Sequence, residues 1–310
     1  MRTLRGWTGL APDDRGATLA IGNFDGVHLG HRGVIEQARA AAPDAPLGVL
    51  TFEPHPREYF RPDAAPFRLM NAEARAHRLQ KLGVERLYEL PFDALLSGLT
   101  AAAFAREVLG AGLGVRHVVV GPDFCFGKGR TGTAAGLHAL GLELGFGVTT
   151  AELVRGGNGR VSSTAIRDAL TEGRPRDAAA MLGHWHRIEG PVRHGDKRGR
   201  ELGYPTANMG MEGLHPPRFG VYAVLVEVLG GPHRGTWHGA ASLGIRPMFE
   251  IPQPALETTI FDFAGDLYGE HISVGLVEFL RPEIRFDGLP ALVAQMAADC
   301  ARARDVLAAL

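Results

Sequence analysis

Apolar positions in the first part of the chain come in short runs separated by stretches with helical spacing. Residues 18–21, 47–52, 86–90 and 117–120 have the length and aliphatic content of buried strands. Between them Val34, Ile35 and Ala38 fall on one side of a helix, and residues 74–82, 101–109 and 134–144 read as further helices. Such alternation predicts a parallel sheet covered by helices. A helix over 166–170 stops at Gly173, and Pro175 opens another over 176–182. From His186 the texture changes. Gly190, Gly195, Gly199, Gly203, Gly230 and Gly231 separate runs with strand character, notably 221–229, 257–263 and 272–279. These predict a small antiparallel barrel or sandwich closed by a helix from about 289 to 307. The change divides the chain into residues 1–183 and 184–310.

Composition narrows the classes. The 310 residues are 45% apolar, as in a globular protein, and exceed what one core usually organises. A formal net charge of −1 without long Lys/Arg clusters excludes an electrostatic surface for nucleic acid or membrane, so small-molecule substrates are expected. The start, M-R-T-L-R-G-W-T-G-L, lacks the apolar core of a secretory signal, and charges such as Arg106 and Glu227 interrupt every candidate membrane span. A cytoplasmic protein is expected, with Cys125 and Cys300 reduced.

Candidate chemistry lies in two clusters. Residues 22–31 read G-N-F-D-G-V-H-L-G-H at a strand-to-helix junction. Gly22, Gly26 and Gly30 allow backbone N–H groups to approach an anion, and the positive end of the following helix favours negative charge there. His28 and His31 add two side-chain donors able to stabilise charge growing on a phosphoryl group. The plain alternative is half a metal site or two unrelated surface histidines; zinc would want further ligands, and Cys125 and Cys300 form no C-x-x-C pair. The second cluster, G-D-K-R-G-R-E-L-G-Y-P-T-A-N-M, runs from Gly195 to Met209. Thr206 and Asn208 offer hard oxygen ligands suited to Mg²⁺ that shares substrate phosphates, with upstream glycines supplying N–H groups. Taken alone, the cluster is also compatible with a glycine-rich basic hairpin.

H-L-G-H resembles the H-x-G-H signature of nucleotidyltransferases. Together with T-F-E-P-H-P at 51–56, V-G-P-D-F-C-F-G-K at 120–128, V-S-S-T-A-I-R at 161–167, G-Y-P-T-A-N, G-V-Y-A at 220–223, L-E-T-T-I-F-D-F at 256–263 and D-L-Y-G at 266–269, it makes the whole chain similar to the prokaryotic bifunctional riboflavin kinase/FMN adenylyltransferases, or FAD synthetases. The resemblance implies an α/β Rossmann-like nucleotidyltransferase domain (1–183) followed by a mainly β riboflavin kinase barrel with a C-terminal helix (184–310). It implies riboflavin, FMN, FAD and ATP as substrates and products, with Mg²⁺. It carries over His28 and His31 as catalytic in adenylyl transfer, Gly22, Asn23 and Phe24 at the ATP site, Asp123 facing the flavin-side substrate, and Ser163, Thr164 and Arg167 on ATP phosphates.

In the second domain it assigns Gly195 and Gly203 to phosphate binding, Thr206 and Asn208 to the metal, and Glu257 to accepting the proton of the attacking hydroxyl. Asp262 and Glu283 are read as structural. Other readings of these residues are helix capping for Ser163 and Thr164, a solvated Arg167 and a solvent-facing Glu257. Ser242, Met248 and Thr259 depart from the family pattern around the kinase site. They leave open an adenylyltransferase with an impaired kinase half. A non-catalytic flavin-binding protein and a transferase for another phosphate ester are the remaining alternatives.

Overall fold

The computed structural model describes residues 1–152, 155–156, 159–195, 203–246 and 253–310. Of the residues singled out from sequence, Gly199 and Met248 lie outside this set, as does 196–202 of the glycine-rich cluster. Contacts group the chain into two compact units, residues 1–65 with 75–161 and residues 66–74 with 162–310.

The first unit is built on a six-stranded, all-parallel sheet. Its spatial order is Arg2–Leu4, Arg86–Pro91, Leu47–Glu53, Thr18–Ile21, His117–Val120, Gly147–Thr150. Thr18–Ile21, Leu47–Leu50 and Val118–Val120 are buried throughout, which explains why they read as unbroken apolar runs. Helices Leu29–Ala41, Ala72–Lys81 and Ala134–Leu144 stand where helical spacing predicts them. The helix expected over 101–109 begins as Ala101–Ala103 and continues as a π-helix, Phe104–Gly112, whose Phe104, Ala105, Val108 and Leu109 enter the core. Gly48 is required by close packing: a Cβ there would lie 2.5 Å from Leu19 and 3.1 Å from the Tyr88 ring.

The chain runs from Thr18–Ile21 through Leu47–Glu53 to Arg86–Pro91 on one side, then returns to place His117–Val120 on the other. The carboxyl end of Thr18–Ile21 is therefore a topological switch point, where neighbouring connections diverge and open a crevice.

The second unit holds a six-stranded antiparallel sheet in the order His186–Pro191, His271–Pro282, Gly220–Val228, Gly235–Arg246, Gln253–Ile260, Thr206–Gly210. A bridge from Arg193 to Asn208 brings its two edges together, so the sheet closes into a small barrel. Side chains alternate as a pleated strand requires. Tyr222, Val224 and Val226 fill the interior, whereas Val221 and Ala223 face Ala303 and Leu307 of the C-terminal helix Leu289–Ala308. Helices Ser163–Thr171 and Pro175–Leu182 close a further cluster of Ile166, Ala169, Leu170, Ala178 and Leu182 with Leu69. By contacts, then, these helices group with the second unit. The strand expected to reach residue 263 ends at Ile260, and Asp262, at φ +56°, sits in the turn beyond it, paired with Arg304.

His186 is 3% exposed, and burial followed by its neighbours His184 and His215 depresses its pKa to about 3. In the unfolded chain it titrates near the ordinary 6.5. The unfolded state thus takes up the proton first, so this contribution to stability is complete above about pH 6.5 and is lost as pH falls toward 3. Between pH 7 and 5 the loss is about 2 kcal/mol. His186→Gln should remove that component, and chemical denaturation of both proteins at the two pH values checks it; equal pH slopes would refute the assignment.

Candidate active sites

The turn following Thr18–Ile21 is strained and buried. Phe24, Gly26 and Val27 have φ of +51°, +85° and +42°, and the Val27 N–H donates to the Phe24 carbonyl at 3.2 Å. Positive φ is costly for a β-branched residue, and such outliers gather at functional sites. Gly22 N–H bonds to Leu50 O at 3.2 Å, and the Thr51 hydroxyl donates to Asn23 O at 3.2 Å, which tie the turn to the neighbouring strand.

His28 is the N-cap of Leu29–Ala41: its Nδ1 accepts the His31 backbone N–H at 3.2 Å. Because Nδ1 accepts, Nε2 carries the proton in the neutral ring. The two imidazoles stack with centroids 3.7 Å apart and planes 11° from parallel, and the Phe24 ring lies 5.1 Å from His31. Burial, then the neighbouring His28, holds His31 well below the usual histidine range, so it is neutral at pH 7. Its buried Nδ1 has no hydrogen-bond partner among the described residues. Gly30 serves this stack as well as backbone access, since a Cβ there would lie 3.1 Å from two atoms of the His28 ring.

Sheet order sets what flanks the turn. On one side Gly121–Asp123 follows His117–Val120, with Asp123 exposed. On the other, beyond Leu47–Glu53 and Arg86–Pro91, stands an aromatic cluster that sequence reasoning missed. Phe92 meets Phe52, Tyr59 and Phe60 edge-on at 5.4–5.7 Å, and Phe60 is 65% exposed. The density of aromatics between 52 and 60 was the available signal. Below it, buried Arg75 bonds Glu53 at 2.9 Å and Glu89 at 2.8 Å, which anchors both strand ends.

In the barrel, Asn208 lies opposite Glu257, and Glu257 opposite Ser242. Thr206 lies opposite Thr259, which faces Ala240 on its other side. Thr206, Ser242, Glu257 and Thr259 line a cavity of about 330 Å³ whose apolar wall includes Ile284, Phe286, Leu292 and Met296. Two of the three positions that depart from the family pattern, Ser242 and Thr259, thus stand on its wall. Thr206 also lines a second cavity, of about 300 Å³, with Val192, Phe263 and Tyr268. The His194 ring lies tilted against Tyr268, with centroids 3.8 Å apart.

Asn208 Nδ2 donates to Thr206 O at 3.3 Å. A divalent cation would want the amide oxygen on that side, a half-turn of the amide, beside the Thr206 hydroxyl; these neutral oxygen donors suit a hard cation that also takes phosphate oxygens. Gly195 is fitted to this side chain, since a Cβ there would meet Asn208 Nδ2 at 2.6 Å. Gly203, at φ +81°, is exposed.

Ser163, Thr164 and Arg167 belong to the second unit. The helix cap is Ser162, whose hydroxyl accepts from Ala165 N–H at 3.2 Å, so capping accounts for neither Ser163 nor Thr164. Arg167 is not merely solvated: its Nε donates to Phe67 O at 2.6 Å and its guanidinium lies 5.4 Å from the Phe67 ring.

A glycine-bearing turn at the switch point of a parallel sheet suits a nucleotide, and a barrel cavity that sets hydroxyls and carboxylates against an apolar wall suits phosphoryl transfer to an amphipathic alcohol. The class is an ATP-consuming transferase with two sites. The chain belongs to the bifunctional riboflavin kinase/FMN adenylyltransferase family: residues 10–165 match FAD synthetase and residues 182–307 match riboflavin kinase.

Proteins named bifunctional riboflavin kinase/FMN adenylyltransferase from Pseudomonas fluorescens and Escherichia coli (strain K12) are 42% and 40% identical, over 99% and 98% of this chain and 98% and 97% of theirs. That of Bacillus subtilis (strain 168) is 36% identical over 91% of this chain and 90% of its own. A crystal structure of a Streptococcus pneumoniae protein named macrolide-efflux protein superposes with a TM-score of 0.80 at 32% identity, over 96% of this chain and 97% of that one. Among the described residues no helix is long and apolar enough to cross a membrane.

The cap role of His28 can be tested apart from any chemistry. His28→Ala should cost about 1 kcal/mol of stability through the lost N-cap, whereas His28→Asn, which can still accept from the first turn, should cost a few tenths. Thermal unfolding of both variants checks this, and equal losses would mean that the cap bond contributes nothing.

Proposed function

We propose that this chain makes FMN from riboflavin at the barrel cavity and then FAD from FMN at the turn of residues 22–31, consuming ATP in each step. The observation that carries the reading is that one chain holds both the stacked His28–His31 turn at a sheet switch point and a Glu257 carboxylate across a strand pair from Thr206 and Asn208. By this reading adenylyl transfer belongs to residues 1–183 and the kinase to residues 184–310.

In adenylyl transfer a phosphate oxygen of FMN attacks the α-phosphorus of ATP and the bond to pyrophosphate breaks. The nucleophile is already anionic, so positioning and charge stabilisation suffice. His28 donates through Nε2, the ring nitrogen other than the one in its cap bond, and neutral His31 stands beside it at the positive end of Leu29–Ala41. Gly22, Asn23 and Phe24 border ATP. Asp123 faces the flavin side, and the exposed aromatic cluster around Phe60 offers the isoalloxazine ring an apolar seat. Ser163, Thr164 and Arg167 are assigned to ATP phosphates on the strength of their motif.

In the kinase step the 5′-hydroxyl of riboflavin attacks the γ-phosphorus, ADP leaves and Glu257 takes the hydroxyl proton. The 330 Å³ cavity holds the flavin against its apolar wall, and the adjoining one, uncharged apart from Asp266, holds the nucleoside. Thr206, on the wall of both, stands where the phosphates pass, with Gly195 and Gly203 on the approach. Kinases and adenylyltransferases that use ATP need a divalent metal; we assign Mg²⁺, held by Thr206 and Asn208, which when bound neutralises charge on the β- and γ-phosphates. We place the protein in the cytoplasm, where ATP is supplied and the free Cys125 and Cys300 stay reduced.

Incubating the protein with riboflavin, ATP and Mg²⁺ should yield FMN before FAD on chromatography. His31→Ala should slow FAD formation by roughly two to three orders of magnitude while FMN still forms, the scale for losing one preorganised donor. Unchanged FAD formation would remove the turn from the reaction. Glu257→Gln should slow riboflavin phosphorylation by roughly 10² to 10⁴-fold with supplied FMN still converted to FAD, the scale for a lost general base. Normal phosphorylation by that variant would sink the proton-acceptor role.

A further inference from the structure

The riboflavin cavity lies between two elements that no backbone pairing holds together. One is the C-terminal helix, which presents Leu292, Met296 and Asp299 at positions i, i+4 and i+7, a single face. The other is the end of the strand His271–Pro282 with the segment after it, carrying Arg281, Ile284 and Phe286. Exposed residues 283–285 and 287–288 link them, and farther along the helix Arg302 Nη1 donates to Leu280 O at 2.8 Å, so the gap beside the cavity is set by side-chain contacts.

One ion pair spans that gap. Arg281 Nε lies 3.0 Å from both carboxylate oxygens of Asp299, and Nη2 lies 2.7 Å from Oδ2. Nη1 of Arg281 donates to Pro282 O at 2.9 Å, and Gln295 Nε2 donates to Asp299 Oδ1 at 2.9 Å. The side chains are 18% and 9% exposed. Each Asp299 oxygen therefore already accepts two hydrogen bonds, and the Arg281 donors facing it are taken. Although both residues line the cavity, their bonding is spent on each other and on the walls. A forked pair of this kind fixes orientation as well as distance.

Building on the reading of this cavity as the riboflavin seat, we propose that the Arg281–Asp299 pair is a positioning brace that holds its two walls at the separation the flavin ring needs, and so sets riboflavin affinity without taking part in the chemistry at Glu257. Loss of the brace lets the apolar walls close on each other. The effect falls on KM for riboflavin, because Glu257, Thr206 and Asn208 stand on other strands.

The test replaces both partners, Arg281→Met with Asp299→Leu, so that no lone buried charge remains and the fold is kept. KM for riboflavin should rise about tenfold with kcat within about threefold, the scale for a loosened supporting contact. Conversion of supplied FMN to FAD should not change. Arg281→Lys keeps the charge and loses the fork; it should raise the same KM by about threefold and decides the matter if the double variant fails to fold. A riboflavin KM within about twofold of the parent in either folded protein overturns the brace. Met296→Trp, which fills the cavity, separates the two readings. A raised riboflavin KM there with none in the brace variants rejects the brace alone, whereas an unchanged KM in Met296→Trp removes riboflavin from this cavity and the brace with it.

Discussion

The hydrogen bonds that pair Thr206–Gly210 with Gln253–Ile260, and that strand with Gly235–Arg246, decide which side chains of the barrel can meet. Successive side chains point to opposite faces, so the register Asn208–Glu257–Ser242 and its neighbour Thr206–Thr259–Ala240 assemble the polar set on one side. Ala207, Thr258 and Ala241, one position away, form the other register row and are buried. A slip of one residue would exchange the two rows and leave an apolar surface where the carboxylate and the hydroxyls now stand. The closing bridge from Arg193 to Asn208, and the passage of Gly195 over the Asn208 amide, hold that register at the edge where a strand is otherwise easiest to displace.

Parallel strands in the first unit cannot use the same device, since their buried runs face helices on both sides. The reactive groups there stand on the connections beyond the strand ends. Precision comes from strain that is held in place by burial. Phe24 and Val27 adopt positive φ at a cost of about 1–3 kcal/mol each, and each is only 1% exposed. Burying such side chains is worth about 1.5–3 kcal/mol apiece, which is enough to offset the strain and fix the turn. His31 adds little charge of its own, because burial, and then His28 stacked 3.7 Å away, hold it well below the usual histidine range. By the proposed reading, what the turn would offer an incoming phosphate is oriented N–H groups.

Much of this could be read from the sequence, because the residues involved obey local rules. The strands at 18–21 and 117–120 and the helix at 134–144 fall where their spacing places them. Motif singled out Thr206, Asn208 and Glu257, and register sets Asn208 opposite Glu257 and Thr206 opposite Thr259. The long strand Gly235–Arg246 was not marked out, since its G-T-W-H-G-A-A-S-L-G-I-R carries glycines and polar residues at inward and outward positions alike. Nor could spacing reveal that Gly30 makes room for an imidazole, that Ser162 rather than Ser163 caps its helix, or that Arg281 reaches Asp299. Each of these depends on where a side chain ends in space, and no periodicity records that.

Residues 66–74 bear on how the chain is made. They are synthesised early, yet their partners come much later. Leu69 packs with Ile166 and Leu170, Arg68 bridges to Leu214, and Asn71 reaches Glu189, 118 positions further along. As the polypeptide leaves the ribosome, the strands on either side of this segment can pair and bury their core while the segment itself waits as an open excursion. Its apolar Phe67, Leu69 and Met70, buried in the finished protein, are then exposed until the C-terminal half has emerged. During that interval the nascent chain has a short sticky stretch bounded by folded structure, and its sequence, P-F-R-L-M-N, carries an arginine in the middle of it, a charge that opposes premature association.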